Sequence, residues 1–221
     1  MTDVSIVPYD AKYRAAVRDC VFVTGYGGGD VTPFFTDREL FADLLTMYYT
    51  DYEPEHAYIG LADGAPAGYL LGCADTRVYE ETMKREVFPR ILKNLARGKY
   101  RIDGVTARYI ARGLLSQLRG EGMTPPLEQF PAHLHIDLFE PYRRLGLGAR
   151  LVGAWLDDLR GMGSPGIHLG TSTAHTQSHG FYQKLGFRRY AVRRFRTSIF
   201  KDRDQRDLYS VYYVMSLRPH Q

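Results

Sequence analysis

Residues 139–151, FEPYRRLGLGARL, follow an apolar strand-like segment and lead into an amphipathic run. Gly146 and Gly148 stand where that run begins, although glycine is a poor helix former. The first turn of a helix has four backbone N–H groups without intrahelical partners and carries the positive end of the helix dipole. Glycines leave those groups open to an oxyanion, and Arg143 and Arg144 add positive charge. This stretch therefore predicts a turn that binds a diphosphate.

The same stretch has a plainer interpretation, a strand-to-helix turn in which the two glycines allow close packing. Its spacing is not G-x-G-x-x-G, and no acidic residue follows about 20 positions later at a strand end, which disfavours a dinucleotide-binding fold. The G-K-[ST] sequence of a P-loop is also missing. The glycine spacing alone therefore leaves diphosphate binding and simple packing both open.

The composition is that of an ordinary folded protein. The chain has 221 residues, 44% hydrophobic and 24% charged, which is enough to bury one large core. The net charge of +4 is compatible with an anionic ligand and is not typical of a dedicated nucleic-acid binder. We therefore expect a small anionic ligand and no nucleic-acid partner.

Cysteine usage and the N-terminal residues bear on the compartment. Cys20 and Cys73 have no metal-ligand spacing, so we expect two buried thiols in a reducing cytoplasm. The N-terminus shows no signal-peptide pattern, and no apolar stretch approaches the roughly 18 residues of a membrane span. The sequence therefore predicts a cytoplasmic protein without a membrane partner.

The hydrophobic pattern predicts a mixed α/β fold in one domain over residues 1–221. Strands are expected at 4–9, 132–140, 167–172, 188–197 and 208–217, with a hairpin over 55–75. Helices are expected at 10–23, 37–49, 146–163 and 175–187, with Asp10 as an N-cap of the first and Gly186 stopping the last. Residues 78–122 show helical spacing with Arg and Lys on the polar faces, which predicts a helical insertion before the fourth strand.

Two motifs in this order resemble the GCN5-related N-acetyltransferases, the GNAT superfamily. R-R-L-G-L-G at 143–148 is similar to the R/Q-x-x-G-x-G/A turn of that family, and F-Y-Q-K-L-G-F at 181–187 is similar to a second family motif. The resemblance implies a single GNAT fold, with a central twisted mixed sheet of about seven strands flanked by helices. It also implies acetyl-CoA as cosubstrate and no metal.

The N-terminal half resembles a narrower group, the bacterial acetyltransferases related to the C-terminal acetyltransferase-like domain of O-GlcNAcase. The stretches that carry this likeness are FVTGYGGGDVTPFF, MYYTDYEPEHAYIGLADGAPAGYLLGCADT and PAHLHIDLFEPYRRLGLG. The animal domain is generally thought to lack a good acetyl-CoA turn, whereas this chain has one. The likeness therefore does not imply that this chain is inactive.

The resemblance also assigns site residues. The pantetheine arm would lie between splayed strands at 132–140 and 166–172, and Tyr182 would protonate the departing thiolate. A backbone N–H near Leu138 or Phe139 would hold the oxyanion. The implied cofactor contacts are Leu138, Phe139, Arg143, Arg144, Leu145, Gly146, Leu147, Gly148, Ala149, His175 and Ser178.

A base or ammonium anchor is sought on the strand AHLHIDLFE, because a lysine-like amine has a pKa near 10.4 and must lose its proton. Alternation puts His133, His135 and Asp137 on one face of that strand. Asp137 is the first candidate and His135, acting through a water, the second. Each could instead be a hydrogen-bonded core residue, and acetyltransferases often use a chain of waters.

The acceptor pocket is expected to involve residues that precede the strand. These are the glycine-rich loop 24–33 with Asp30, the tyrosines Tyr48, Tyr49 and Tyr52, and Asp75. The loop glycines would let the loop close on a substrate. An exposed loop without a role, and a tyrosine cluster that belongs to the core, are the open alternatives.

The leading function is an acetyl-CoA-dependent N-acetyltransferase that acts by direct attack of a primary amine. The acceptor is a small-molecule amine or a protein lysine, and the protein is a monomer or homodimer. A catalytically silent acetyl-CoA-binding sensor or scaffold is the alternative. Nucleic-acid binding by the basic helices at 84–119 is a weak third, because Glu and Arg alternate there. The arginine-rich stretch 188–196 is expected to face solvent, with a partner or the 3′-phosphate of CoA as alternatives.

Overall fold

Seven strands form one mixed sheet in the computed structural model, which describes residues 2–194 and 208–218. The sheet order is β1-β2-β3-β4-β5-β7-β6, and all neighbours are antiparallel except β4 and β5, which run parallel. The strands are β1 (Val4–Pro8), β2 (Ala57–Ala62), β3 (Ala65–Cys73), β4 (Ala132–Leu138), β5 (Gly166–Ser172), β6 (Arg188–Arg194) and β7 (Tyr209–Ser216). The expected mixed α/β fold is confirmed.

Helices flank the sheet. They are α1 (Arg14–Thr24), α2 (Arg38–Asp51), α3 (Thr76–Thr82), α4 (Phe88–Ala96), α5 (Gly104–Leu118), α6 (Leu147–Gly161) and α7 (Thr176–Lys184), with a π-helical turn at Met83–Val87. The first helix begins later than the sequence suggests. Asp10 accepts a hydrogen bond from the Lys12 N–H and caps a 3-10 turn at Ala11–Tyr13, so α1 starts only at Arg14.

Two apolar cores lie on the two faces of the sheet, and alternation along β3 contributes to both. Tyr69 and Leu71 pack in the core that contains α1 and α2, whereas Leu70 packs in the core that contains α6 and α7. The hairpin between β2 and β3 turns at Asp63 and Gly64, both with positive φ, as a two-residue type I′ turn requires.

Helices α3, α4 and α5 precede β4, as the sequence predicts, and they share the first core. Asp43 of α2 is almost fully buried and accepts hydrogen bonds from Arg18 at 2.5 Å, Lys99 at 2.8 Å and the Tyr100 hydroxyl at 2.5 Å. Burial raises the pKa of Asp43, but these three donors outweigh it and leave the pKa below its usual value. The carboxylate therefore joins α1 and α2 to the segment between α4 and α5.

The far edge of the sheet is arginine-rich. β6 is an edge strand whose residues are exposed apart from a half-buried Ala191, which agrees with the solvent-facing interpretation for residues 188–194 of the arginine-rich stretch. Arginines on an edge strand also oppose pairing with other chains. Residues 195–197, the expected end of this strand, lie outside the described residues.

Candidate cofactor groove and acceptor site

The parallel strands β4 and β5 separate soon after they begin. Their register consists of Ala132 with Ile167 and His133 with His168, although β4 continues to Leu138 and β5 to Ser172. Backbone groups that face the opening have lost their ladder partners and need others. The structure thus shows the splay that the GNAT resemblance implies, and we call the opening between the two strand ends the groove.

The peptide groups at the end of β4 show which side faces the groove. The Phe139 N–H donates to the Ala67 carbonyl at 3.0 Å, toward β3. A trans peptide directs its C=O opposite to its N–H, so the Leu138 carbonyl faces away from β3, toward the groove. In a strand the N–H and C=O of one residue point the same way. Of the two N–H groups considered for the oxyanion, the Leu138 N–H faces the groove and the Phe139 N–H is already bonded.

The turn after β4 leads into α6 without a side-chain cap. Gly146 is the N-cap, and the first helical bond runs from the Arg150 N–H to the Gly146 carbonyl at 3.2 Å. The N–H groups of Leu147, Gly148 and Ala149 therefore occupy the first helical positions, which have no intrahelical acceptor. This is the arrangement that favours an anion at a helix N-terminus.

The two glycines of the turn have different roles, which refines the sequence argument. Gly146 has φ 78°, and a β-carbon there would meet no atom within 4 Å, so its backbone conformation is the constraint. Gly148 has an ordinary φ, but a β-carbon would lie 3.3 Å from Phe181 Cζ and 3.4 Å from Leu138 Cδ1. Close packing, the plainer interpretation, therefore explains Gly148 and not Gly146.

The remaining turn residues divide by exposure. Leu147 is buried, and its side chain covers Gly60 of β2, where a β-carbon would lie 2.7 Å from Leu147 Cδ2. Leu145, Arg144 and Ala149 are exposed, and Arg144 is a non-glycine residue with φ 65°. Leu147 can thus contribute only its backbone to a ligand, whereas the side chains of the other three reach solvent.

Arg143 and Arg144 have different environments, although the sequence predicts that both add positive charge beside the diphosphate. The Arg143 guanidinium donates from Nε to the Leu138 carbonyl at 3.0 Å and from Nη2 to the Gly28 carbonyl at 2.7 Å. Arg144 is exposed. Of the two arginines, Arg144 therefore has the guanidinium that is accessible to a phosphate.

Tyr182 lies in α7 beside the groove and is only 8% exposed. Its ring contacts Phe181, Phe187 and Tyr213 at centroid distances of 5.2, 5.8 and 5.8 Å. Burial, reinforced by the charge of Asp137, raises the pKa of the Tyr182 hydroxyl. The hydroxyl thus stays protonated at neutral pH and can act as a proton donor.

His175 and Ser178 lie at the start of α7. The Ser178 hydroxyl donates to the His175 carbonyl at 2.8 Å and lies 3.2 Å from the Thr171 hydroxyl. His175 Nδ1 is 3.4 Å from the Ser172 hydroxyl, and burial lowers the pKa of the His175 ring. Both side chains sit at the β5 end of the groove, where the resemblance places pantetheine contacts.

Asp137 and His135 lie beyond the point where β4 and β5 separate. Asp137 accepts a hydrogen bond from the Tyr69 hydroxyl at 2.8 Å, and its Oδ2 lies 3.5 Å from His135 Nε2. Their side chains are 19% and 33% exposed, so both reach solvent. Sequence reasoning missed Tyr69, which faces Asp137 directly across the β3–β4 pair. The helical insertion separates β3 from β4, so no local sequence signal marks this pair, and only the β3–β4 register reveals it.

His133 is held differently from His135. The Thr76 hydroxyl donates to the Pro131 carbonyl at 2.7 Å, so it accepts from His133 Nδ1–H at 2.7 Å. His133 Nε2 then accepts from the Tyr49 hydroxyl at 2.9 Å. Desolvation, reinforced by His168 and His135, lowers the pKa of His133 to about 3. His133 is therefore a neutral structural residue, although it shares one face of β4 with the two candidates for base.

The predicted acceptor tyrosines Tyr48 and Tyr49 are 4% and 6% exposed and belong to the first core. Their rings pack against each other at 5.3 Å, and Tyr79 lies 4.7 Å from Tyr48. Burial raises the pKa of both hydroxyls. The structure favours the alternative of a core aromatic cluster over a pocket wall; Tyr52, at 37% exposed, is the more accessible of the three.

The two predicted acceptor carboxylates hold local turns. Asp75 accepts from the Arg77 N–H at 2.8 Å and caps α3. Asp30 is exposed and accepts from the Thr32 N–H at 2.7 Å and from the Thr32 hydroxyl. These hydrogen bonds lower the pKa of Asp30. Each carboxylate thus has a local structural explanation.

The glycine-rich loop contains a tight turn. Tyr26 and Gly29 exchange two backbone hydrogen bonds, at 2.9 and 2.8 Å, around Gly27 and Gly28 with φ 61° and 85°. Positive φ at both central residues defines a type I′ turn. We call Tyr26–Gly29 the glycine turn. It forms a tight turn beside Arg143 and is not the open loop that the glycine content suggests.

Comparison with known proteins agrees with this geometry. The sequence model of the Acetyltransferase (GNAT) family matches residues 107–187, which include the β4–α6 turn and α7. The crystal structure of SsHAT is 26% identical with a TM-score of 0.75, and the match covers 98% of this chain and all of that one. The chain therefore has the GNAT fold, and residues 107–187 match the acetyltransferase family of that name.

Two more distant structures share the fold. The Salmonella typhimurium protein yncA, with its cofactor acetyl-CoA, is 13% identical with a TM-score of 0.56, covering 98% of this chain and 95% of that one. The Drosophila melanogaster polyamine N-acetyltransferase is 15% identical with a TM-score of 0.62, covering 97% and 100%. These two likenesses support the fold, and the family match is what supports acyltransferase chemistry in general.

Across residues 2–194 and 208–218, no three His, Cys, Asp or Glu side chains are grouped as metal ligands. In the same part of the chain, no helix has both the length and the apolar character needed to cross a bilayer.

Proposed function

We propose that this chain is an acetyl-CoA-dependent N-acetyltransferase that moves an acetyl group to a primary amine by direct attack. The observation that carries the proposal is the groove, where two parallel strands separate beside an uncapped helix N-terminus. Asp137 borders it from the face of α1 and α2, and Tyr182 belongs to the opposite core. A base and an acid on opposite sides suit a one-step transfer between two bound substrates.

The residues of the turn fit the diphosphate of CoA. The N–H groups of Leu147, Gly148 and Ala149 have no helical acceptor, and the exposed Arg144 supplies positive charge beside them. The Leu138 N–H, which faces the groove, lies where the acetyl end of the pantetheine arm would come. Acetyl-CoA supplies a thioester, an activated acyl group with a thiolate as leaving group.

Three protein groups are assigned to the reaction. Asp137, or His135 through a water, takes the proton that an ammonium must lose before it attacks. The Leu138 N–H donates to the charge that develops on the acetyl oxygen. The Tyr182 hydroxyl gives its proton to the departing thiolate. The free thiol has a pKa of about 8.5, and the sulfur leaves more easily when it is protonated.

The acceptor is proposed to be a small-molecule amine or a protein lysine, of which the polyamine acetyltransferase with the same fold exemplifies the first. The glycine-rich segment and the strand at 132–140 further support placing the chain beside the bacterial relatives of the O-GlcNAcase C-terminal domain. Cys20 and Cys73 are free buried thiols, which suits a cytoplasmic protein. A silent acetyl-CoA sensor is disfavoured, because a protonated Tyr182 and an open Leu138 N–H are groups that turnover needs and storage does not.

Calorimetry followed by a thiol-release assay tests the proposal. CoA and acetyl-CoA should bind with measurable heat, and a screen of amine pools with acetyl-CoA should release free thiol only where an acceptor is present. Binding without release across diamines, amino sugars and lysine peptides would favour the sensor. If CoA, dephospho-CoA and acetyl-CoA all fail to bind, both the acetyltransferase hypothesis and the sensor hypothesis are refuted.

A further inference from the structure

The Arg143 side chain connects two segments that lie 115 residues apart in the sequence. Its Nη2 donates to the Gly28 carbonyl at 2.7 Å, and its Nε donates to the Leu138 carbonyl at 3.0 Å. Gly28 belongs to the glycine turn, and Leu138 is the last residue of β4. One guanidinium therefore joins the loop before α2, the end of β4 and, through its own backbone, the turn that leads into α6.

The glycine turn fits closely at this contact. Gly28 has φ 85°, and a β-carbon there would lie 3.0 Å from Arg143 Nη1. On its other side, a β-carbon at Gly27 would lie 3.5 Å from the carbonyl of Ala174, in the connection between β5 and α7. The glycine turn thus reaches from the connection after β4 to the connection after β5, across the open end of the groove.

We propose that Arg143 is a positioning residue that couples cofactor binding to acceptor binding by holding the glycine turn across the open end of the groove. This inference rests on the function proposed above. The inference gives the two arginines different roles. Arg144 binds the phosphates of the cofactor, and Arg143 holds the loop beside which the amine enters. The sequence motif alone assigns both arginines to the cofactor.

The coupling has a physical route. The Leu138 carbonyl that Arg143 holds faces the groove, so a ligand in the groove lies beside one end of the hydrogen-bonded chain. One guanidinium bonded to two carbonyls by charge-assisted hydrogen bonds links the segments that carry them, so restricting one segment restricts the other. Ordering of the turn at 143–148 by a ligand therefore also orders the glycine turn, and the amine meets a formed entrance.

Hydrogen exchange of the native protein and of Arg143→Gln, with and without CoA, tests the coupling without any acceptor. The amides of Tyr26 and Gly29, which bond to each other across the glycine turn, report its closure. In the native protein CoA should slow their exchange about tenfold, and in Arg143→Gln that slowing should disappear. Arg160→Gln, which alters an exposed arginine paired with Asp157 in α6, is the control and should behave as native.

Kinetics then separate the two arginines. Arg143→Gln should raise the KM for the amine about tenfold and leave the Kd of CoA within about threefold of native. Arg144→Gln should do the opposite, weakening CoA and sparing the KM for the amine. A loss of CoA affinity in Arg143→Gln equal to that in Arg144→Gln would overturn the inference, because both arginines would then serve the phosphates.

A second pair of variants approaches the same contact from the loop. Gly28→Ala places a methyl group against Arg143 and strains a positive φ, whereas a β-carbon at Gly29 would meet only the Tyr26 carbonyl at 3.5 Å. Gly28→Ala should therefore reproduce the KM effect of Arg143→Gln, the two together should be no worse than either alone, and Gly29→Ala should be mild. Fully additive effects would contradict a shared contact.

The outcomes distinguish this inference from the proposed function. If the native protein binds CoA and the amides of the glycine turn respond equally in native and Arg143→Gln proteins, the coupling is wrong and the acetyltransferase assignment stands. If the native protein does not bind CoA, the assignment fails. Exchange without CoA would then still show whether Arg143 holds the glycine turn.

Discussion

The groove and the tyrosine–histidine cluster beside it share one face of β4, yet the same residue types have opposite roles in the two places. In the cluster, formed by Tyr48, Tyr49, Thr76, Tyr79 and His133, both ring nitrogens of His133 are hydrogen-bonded and its pKa is lowered to about 3. Two and four residues further along, His135 and Asp137 reach solvent. The position of a residue along β4, and not its type, decides whether it is a buried structural residue or a candidate catalytic residue.

The point where β4 and β5 separate explains the difference. His133 is the last residue of β4 in register with β5, opposite His168, so the sheet is still continuous at its position. His135 and Asp137 follow the separation and therefore border the groove. Alternation predicts which residues share a face, but only the register of the parallel pair tells which of them face an opening.

The largest expected effect tests the groove side of this comparison. Tyr182→Phe removes a buried hydroxyl whose pKa is raised by burial and leaves the ring packing. We expect kcat to fall roughly ten- to a thousandfold with little change in the affinity for acetyl-CoA, the scale of a lost positioned acid. Steady-state kinetics at neutral pH, with calorimetry of CoA binding, measure the two quantities separately.

Tyr213→Phe is the matched control, because its ring lies 5.8 Å from that of Tyr182 but its hydroxyl is paired with His179 Nδ1 at 3.0 Å. It should retain native kcat within about threefold. If Tyr182→Phe retained native kcat as well, Tyr182 would be a packing residue of the second core and the groove would lose its acid.

The parts of the molecule that sequence predicted best are those built from local signals. The turn at 143–148, the helix after it and the helix that carries Tyr182 lie within one continuous stretch, where the spacing of residues predicts the local structure. The hydrogen bond from Tyr69 to Asp137 needs the β3–β4 register, and the bond from Arg143 to Gly28 joins residues 115 positions apart. No periodicity of a single element contains that information.

Tyr48 and Tyr49 show a second limit. Helical spacing in α2 indicates a face on which aromatic side chains gather, but not whether another element covers that face. Tyr79 of the helical insertion packs against both rings. The insertion thus converts a predicted pocket wall into core, and its position relative to α2 is a tertiary fact that the sequence pattern does not carry.

Acid unfolding tests the cluster side of the comparison. The pKa of His133 is about 3 in the folded protein and near 6.5 when unfolded, so between these values the unfolded chain binds a proton that the folded one does not. Stability should therefore fall as pH drops through this window, by up to about 1.4 kcal/mol per pH unit from this group. Burial lowers the pKa of His168 and His175 too, so their contributions have the same sign.

Denaturant unfolding of the native protein and of His133→Gln, from about pH 7 down to about pH 4, isolates the contribution of His133. The variant should be less stable at neutral pH, because two hydrogen bonds are altered, and its free energy of unfolding should decline less steeply with acid. Parallel declines in the two proteins would show that His133 is protonated in the fold and does not have the neutral role assigned here.

The smallest effect separates core from pocket at a single atom. Tyr49→Phe removes the hydroxyl that donates to His133 Nε2 at 2.9 Å, which should cost about 1 kcal/mol in the free energy of unfolding. Since the ring is only 6% exposed, the KM for the amine should stay near native. Tyr52→Phe, at the exposed neighbouring tyrosine, should change stability by less than about 0.5 kcal/mol. A tenfold rise in the KM for the amine, with unchanged stability, would instead place Tyr49 in the acceptor pocket. Tyr49 would then line the groove and would not belong to the buried cluster.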